Sequence, residues 1–144
     1  MTIDDKIFLV IIPARKGSKG IPGKNLKKIG GKPMIQFTIE AALSCVHPKN
    51  ILVTSDDDNV IKLSKSLGLK VPFKRPKNLS TDSANTSDVI LHSLDWYQSK
   101  YNKLPTNILL LQPTSPFRSA DNISLAIKKF VQSGKKTLIS VSVP

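Results

Sequence analysis

The chain has 144 residues, 40% of them hydrophobic, and a formal charge of +12 from 22 Lys and Arg against 10 Asp and Glu. That length holds one domain with a proper core and excludes two ordinary ones, and no apolar run reaches the length of a membrane-spanning helix. Cys45 is the only cysteine, which excludes an internal disulfide and fits a reducing cytoplasm.

A positive surplus of this size attracts anionic partners through its long-range field. Nucleic acid, a membrane surface and a phosphorylated small molecule all qualify. Most of the lysines read as a solvated surface. Against a nucleic-acid module, the cations are mostly Lys, few aromatics lie between them, and no RRM, KH or helix-turn-helix pattern occurs.

Taken in order, the chain alternates strand and helix. The N-terminus, MTIDDKIFLVIIPAR, is acidic before its apolar run and lacks a small-residue cleavage pattern. It reads as a first strand and not as a signal peptide. The run from Lys6 to Ile12 is continuously apolar after its first residue, as a central strand covered on both faces requires. A long loop follows. Pro33 suits a first helical position, and Met34, Phe37, Thr38, Ala41 and Ala42 keep helical spacing to about Cys45. Ile51–Thr54 is a second strand. Ser55 and Asp58 resemble a capping box for a helix that carries Val60, Ile61, Ser64 and Leu67 and stops at Gly68.

Lys70–Phe73 predicts a third strand, at an edge because of Pro72. Residues 74–85 form a polar loop. A helix from Thr86 to about Asn102 places Ile90, Leu94, Tyr97 and Tyr101 on one stripe. Asn107–Gln112 predicts a buried strand ending in a buried glutamine. Ser119 or Asp121 caps a helix with Ile123, Ala126, Ile127 and Phe130, closed by Gly134. Thr137–Val143 predicts a last strand. Such alternation gives an α/β domain over residues 1–144, with a mostly parallel sheet between helical layers. Ligands in such folds bind at the carboxyl ends of the strands, so the loops 13–32, 55–58, 74–86 and 113–119 matter most.

The first of these loops, IIPARKGSKGIPGKN, runs from Ile11 to Asn25 and gathers Arg15, Lys16, Lys19 and Lys24 among glycines and prolines. Glycines let a backbone approach phosphate oxygens, and the cations neutralise them. It is not a Walker A loop: Ser18 stands where the first glycine belongs and Asn25 where the magnesium-binding hydroxyl belongs. It is not the dinucleotide fingerprint either, because Gly17, Gly20 and Gly23 are spaced by three throughout. The bland alternative is a flexible basic surface loop.

The same stretch resembles the signature of cytidylyltransferases that activate nonulosonic and related keto-sugar acids. The likeness is greatest to N-acylneuraminate cytidylyltransferases and their pseudaminic and legionaminic relatives. Thr54-Ser-Asp56, the run from Arg75-Pro to Leu-Ser-Thr-Asp82, and Leu111-Gln-Pro-Thr-Ser-Pro-Phe-Arg118 agree in order and placement. The resemblance implies a Rossmann-like, three-layer nucleotidyltransferase fold. It implies transfer of CMP from CTP to the anomeric hydroxyl of the sugar acid, with pyrophosphate leaving and magnesium required. It also implies that Arg15, Ser18 and Lys24 hold the triphosphate, with Arg15 and Lys24 catalytic and Gly17 and Lys19 in the same nucleotide-binding loop. Asn25 matches a nucleotide contact, Arg75 and Thr86 match pocket-lining positions, and Gln112 matches a position near the sugar. Asp56, at a strand end, has a fair claim on the pocket. Thr114-Ser115 reads equally as a hydroxyl pair facing the sugar or as turn residues between two prolines. Arg118 reads as a clamp on the sugar carboxylate or as a cap on loop structure.

Other residues read as structural. Acids at Asp56-Asp57-Asp58 complement a helix dipole better than they form a metal site. His47 and His92 lack metal-ligand spacing, and His92 falls off the apolar stripe and reads as solvated. Trp96, Tyr97 and Cys45 read as core. The chain departs from the family pattern in length: the later part of such enzymes brings a dimerisation segment, sugar-binding residues and magnesium-holding carboxylates. No late D-x-D pair follows here, so metal ligands are expected to be absent from this chain, which reads as the N-terminal, nucleotide-binding part of a homodimeric enzyme. A Kdo-type or other sugar nucleotidyltransferase, and an inactive nucleotide-binding relative, are the remaining alternatives.

Overall fold

The computed structural model describes residues 8–17 and 20–143. Lys6 and Ile7 of the expected first strand lie outside them, as do Ser18 and Lys19 of the basic loop. Strand β1 (Phe8–Pro13) is buried along almost its whole length. It is the middle of a parallel three-stranded sheet, between β4 (Ile51–Thr54) and β5 (Asn107–Leu110). Val10 pairs with Ile51 on one side and with Leu109 on the other. Successive residues of β1 face opposite layers. Phe8, Val10 and Ile12 join a core with Ile35 and Ile39 of α1 (Met34–Leu43), Val60 of α2 (Asp58–Ser66), and Ile123 and Ile127 of α4 (Ala120–Ser133). Leu9 and Ile11 face the other way, with Leu52, against Phe73 and the Ile90–Leu94–Tyr97 stripe of α3 (Thr86–Tyr101). The apolar run of β1 is explained by this double coverage, and the three-layer α/β fold is as expected.

Several local expectations are corrected. A small hairpin of β2 (Lys28–Ile29) and β3 (Lys32–Pro33) precedes α1, turned by Gly30 and Gly31 with φ of 59° and 85°. Two adjacent positive φ values at Gly-Gly are the signature of a tight hairpin turn. Pro33 therefore belongs to β3 and stands at the N-cap of α1, one residue before the helix. That helix ends at Leu43, and Cys45 lies buried in the turn beyond. Asp57, not Ser55, caps α2: its carboxylate accepts from the Asn59 amide at 2.9 Å, while the Ser55 hydroxyl accepts from the Asp57 amide at 3.0 Å. Lys70–Phe73 and Thr137–Val143 are not strands, because neither finds a neighbouring strand to pair with. His92 is not solvated. It is half-buried, with its ring centroid 4.7 Å from that of Phe73.

Helix α4 has a full capping box. The Ser119 hydroxyl accepts from the Asn122 amide at 3.1 Å, and the Asn122 side chain accepts from the Ser119 amide at 3.0 Å. Ser119→Ala is expected to destabilise the chain by about 1 kcal/mol. For a domain of this size that lowers the melting temperature by roughly 3 °C, measurable by thermal denaturation; an unchanged melting temperature would show that the cap is replaced by solvent.

Candidate active site

The cleft at the carboxyl ends of the strands is built outward from β1 and β4. After β1 ends, the Ala14 amide donates to the Thr54 carbonyl at 2.9 Å, so the pairing with β4 runs one residue past the strand. Arg15 thereby leaves from the carboxyl end of the central strand. The loop then returns through Gly23, whose φ of 64° lies in the left-handed region where glycine is favoured, into one turn of 3-10 helix at Lys24–Leu26. Asn25 closes the loop by donating its side-chain amide to the Arg15 carbonyl at 3.1 Å. Lys16 is tied in from the other side, its amide donating to the Asp56 carboxylate at 2.7 Å.

The second wall is Arg75. The sequence puts it in a polar loop, yet its side chain is almost fully buried. Its guanidinium donates to the Thr54 hydroxyl at 3.1 Å, the Thr54 carbonyl at 2.6 Å and the Leu79 carbonyl at 3.3 Å. Its amide donates to the Ser55 carbonyl at 2.8 Å. Burial pushes the Arg75 guanidinium below its ordinary pKa; Asp56 opposes that shift and Arg15 adds to it. An arginine stays charged even so. No carboxylate is bonded to it among the described residues, so the chain keeps a buried cation facing an open cleft.

The cleft has a volume of about 180 Å³ and is lined by Arg15, Gly17, Lys24, Asn25, Arg75 and Thr86, with Gln112 and Thr114 on its far side. Thr86 is the first residue of α3, whose N-cap Asn85 accepts from the Asp88 amide at 2.8 Å. The positive end of that helix adds to the field of the three cations. One acid answers them directly: Asp82 forms an ion pair with Arg15. An anion with several charged oxygens, held by fixed donors, is what this arrangement can bind.

Not every residue singled out in the sequence joins the cleft. Asp56 is not part of its lining and spends its carboxylate on the Lys16 amide. Gln112 lines the cleft, but its side chain is exposed and lies two residues beyond β5, so it is not the buried strand-end glutamine expected. Of the hydroxyl pair, Thr114 lines the cleft and Ser115 does not. Arg118 braces its own loop, donating to the Gln112 carbonyl at 3.1 Å, and burial pushes its guanidinium below its ordinary pKa. Ser18 and Lys19 lie outside the described residues. The sequence reading missed Thr81, Ala84 and Asn85 in the lining. Asn85 carried a signal, as an N-capping residue type directly before a helix, and Thr81 stands in the run that ends at Asp82; Ala84 carried none.

Comparison with known proteins follows the same outline. A family model described as cytidylyltransferase matches residues 9–142. The chain belongs to the cytidylyltransferase family. It is 40% identical over 138 residues to the CMP-N,N'-diacetyllegionaminic acid synthase of Legionella pneumophila, covering 94% of this chain and 57% of the relative. It is 37% identical over 134 residues to a pseudaminic acid cytidylyltransferase of Campylobacter jejuni, covering 93% and 57%. Against the N-acylneuraminate cytidylyltransferase of Escherichia coli O18:K1:H7 it is 38% identical over 123 residues, covering 85% and 28%. Among solved structures, a CMP:2-keto-3-deoxy-manno-octonic acid synthetase complexed with CTP superposes with a TM-score of 0.68 at 26% identity, covering 89% of this chain and 48% of that one. The cytidylyltransferase fold is therefore shared, and the chain spans little more than half the length of the legionaminic and pseudaminic relatives.

Proposed function

We propose that this cytidylyltransferase-family chain binds CTP in the cleft and carries the nucleotide half of a CMP transfer to a nonulosonic acid of the sialic, legionaminic or pseudaminic type. The convergence of Arg15, Lys24 and Arg75 at the carboxyl end of the sheet is the observation that carries this reading. In the reaction, the anomeric hydroxyl oxygen of the sugar acid attacks the α-phosphorus. The bond from that phosphorus to the bridging oxygen breaks, pyrophosphate leaves with the electron pair, and the hydroxyl proton is lost to a base. Negative charge grows on the leaving pyrophosphate. Cations fixed beforehand stabilise that charge more than they stabilise the ground state.

Within this reading Arg15 and Lys24 act on the phosphates, with Gly17, Ser18 and Lys19 of the same loop. Arg75 fixes the pocket wall beside them. Asn25 and Thr86 contact the nucleotide, and Gln112, Thr114, Ser115 and Arg118 belong to the sugar side. The resemblance implies a magnesium requirement. Among the described residues no three of His, Cys, Asp and Glu come together as a metal-binding group, and magnesium in nucleotide sites is commonly held by one or two carboxylates together with the substrate phosphates. The remaining length of the relatives is expected to bring sugar and metal ligands and a homodimer contact. The product suits cytoplasmic assembly of cell-surface polysaccharide. Likeness to the CTP-bound octonic acid synthetase keeps an eight-carbon sugar acid as the second substrate reading.

A thermal-shift titration with CTP, ATP, GTP and UTP, each with and without magnesium, tests the proposal. A ligand that binds only the folded chain stabilises it, by about 2.7 kcal/mol at a hundredfold excess over Kd. The melting temperature is expected to rise most with CTP. Equal rises with all four would reduce the cleft to a polyphosphate site, and no rise would refute nucleotide binding. The isolated chain is expected to turn over little or no CMP-sugar; measurable turnover would overturn that division of labour.

A further inference from the structure

The peptide unit between Arg15 and Lys16 is gripped at both of its polar atoms. Its carbonyl, on the Arg15 side, accepts from the Asn25 side-chain amide at 3.1 Å. Its N–H, on the Lys16 side, donates to a carboxylate oxygen of Asp56 at 2.7 Å. A peptide unit is planar, so holding these two opposed atoms fixes the plane. The plane in turn sets ψ of Arg15 and φ of Lys16, which flank it. Those angles carry the backbone on to Gly17 in the cleft lining. Gly17 passes close to the Arg15 guanidinium: a methyl group added there would lie 3.8 Å from Nη1.

The two grips differ in kind. Asn25 belongs to the same loop, whereas Asp56 is 40 residues further on. Asp56 stands at the junction of β4 and α2, and both of its neighbours are fixed there. Ser55 is fully buried, its carbonyl accepting from the Arg75 amide at 2.8 Å and its hydroxyl from the Asp57 amide at 3.0 Å. Asp57 is buried too, and caps α2 through the Asn59 amide at 2.9 Å. Asp56 therefore ties the basic loop to the sheet layer and not to the loop itself. A carboxylate suits the task, because a hydrogen bond to an ionised acceptor is stronger than a neutral one.

We infer that Asp56 is a positioning residue: by holding the Lys16 amide it preorganises the Arg15 guanidinium and the Gly17 backbone for phosphate, without touching the ligand. This rests on the reading of the cleft as a phosphate site. Donors fixed before the ligand arrives have less conformational freedom to lose on binding. The negative charge of Asp56 works by itself against an anion. Its place beside the cations of the cleft is explained by the bond it makes and not by its sign.

Two substitutions separate the bond from the charge. Asp56→Asn keeps a side-chain oxygen for the Lys16 amide and removes the charge. Asp56→Ala removes both. Affinities for CTP and for inorganic triphosphate are measured by isothermal titration, and exchange of the Lys16 amide is followed by NMR without ligand. Asp56→Ala is expected to weaken both ligands about tenfold and to speed the exchange by a similar factor. Asp56→Asn is expected to stay within about threefold of wild type in each. Equal losses in the two variants would make Asp56 a charge or contact residue and overturn the inference. Wild-type affinity in Asp56→Ala would overturn it as well, whatever the exchange rate. Triphosphate keeps this result apart from the choice of nucleotide. A wild type that binds triphosphate without preferring CTP would refute the cytidine reading and leave the Asp56 comparison intact. A wild type that binds neither would refute the phosphate site and the positioning role together.

Discussion

Arg75→Ala is expected to abolish the CTP response of the cleft and to lower stability by about 3 kcal/mol, a fall in melting temperature on the order of 10 °C. The size follows from where the guanidinium is. It is a buried cation that donates to the Thr54 hydroxyl, the Thr54 carbonyl and the Leu79 carbonyl. Truncation leaves the Thr54 hydroxyl and the Leu79 carbonyl without that donor and opens a void in the pocket wall. Stability and binding separate in a second variant. Arg75→Met fills most of the void but leaves the same acceptors without their donor, so it is expected to recover part of the stability. It is not expected to recover CTP binding, because the field of the cation is gone. Thermal melts with and without CTP, on wild type and both variants, supply the comparison. A methionine variant that responds fully to CTP would show that Arg75 only supports the wall.

Arg15→Ala is expected to weaken CTP binding about 100-fold, roughly 2.7 kcal/mol, while leaving the fold almost unchanged. Arg15 is the first cation past β1, in a loop closed by the Asn25 bond to its own carbonyl. That bond uses the backbone and survives the substitution. The lost ion pair matters little to folding, since the two side chains are 29% and 58% exposed. Asp82 adds a check of opposite sign. Its carboxylate holds the group that a phosphate must reach, so Asp82→Asn is expected to tighten CTP binding about threefold at low salt, with the gain shrinking as salt rises. Isothermal titration at two salt concentrations measures both variants. An Arg15→Ala chain with wild-type affinity would remove Arg15 from the site, and weaker binding by Asp82→Asn would recast Asp82 as the group that orients Arg15.

The sequence revealed the elements whose cause is local or whose burial is complete. Strand β1 was legible because both its faces are covered, leaving no polar residue in the run. Helix α4 was legible from its cap and its closing glycine. Thr137–Val143 has a similarly β-prone composition, and it is not a strand. Pairing needs a neighbour with a free edge in the right place, and a local pattern does not contain that. Lys70–Phe73 failed for the same reason. The hairpin at Gly30-Gly31 was legible in principle, because two glycines between short extended pairs are a turn signal. Within the cleft, Arg15, Lys24 and Asn25 were legible because one glycine-rich loop holds them all. The burial of Arg75 was not, because the Thr54 and Leu79 groups that receive it are brought together only by the tertiary fold. The exposure of Gln112 was hidden likewise, since β5 stops at Leu110, two residues before the strand end expected at Gln112.

The carbonyl of Thr54 accepts from two donors, the Ala14 amide and the Arg75 guanidinium. One main-chain oxygen thus joins the end of the central strand pair to the wall of the cleft. Every residue type brings that oxygen, so drift at position 54 leaves the shorter of Arg75's two bonds there in place and removes only the hydroxyl contact. The geometry of the wall is in this way insulated from point mutation at the position it hangs on. Sequence change can then tune the neighbouring loop, and with it the choice of ligand, without dismantling the support.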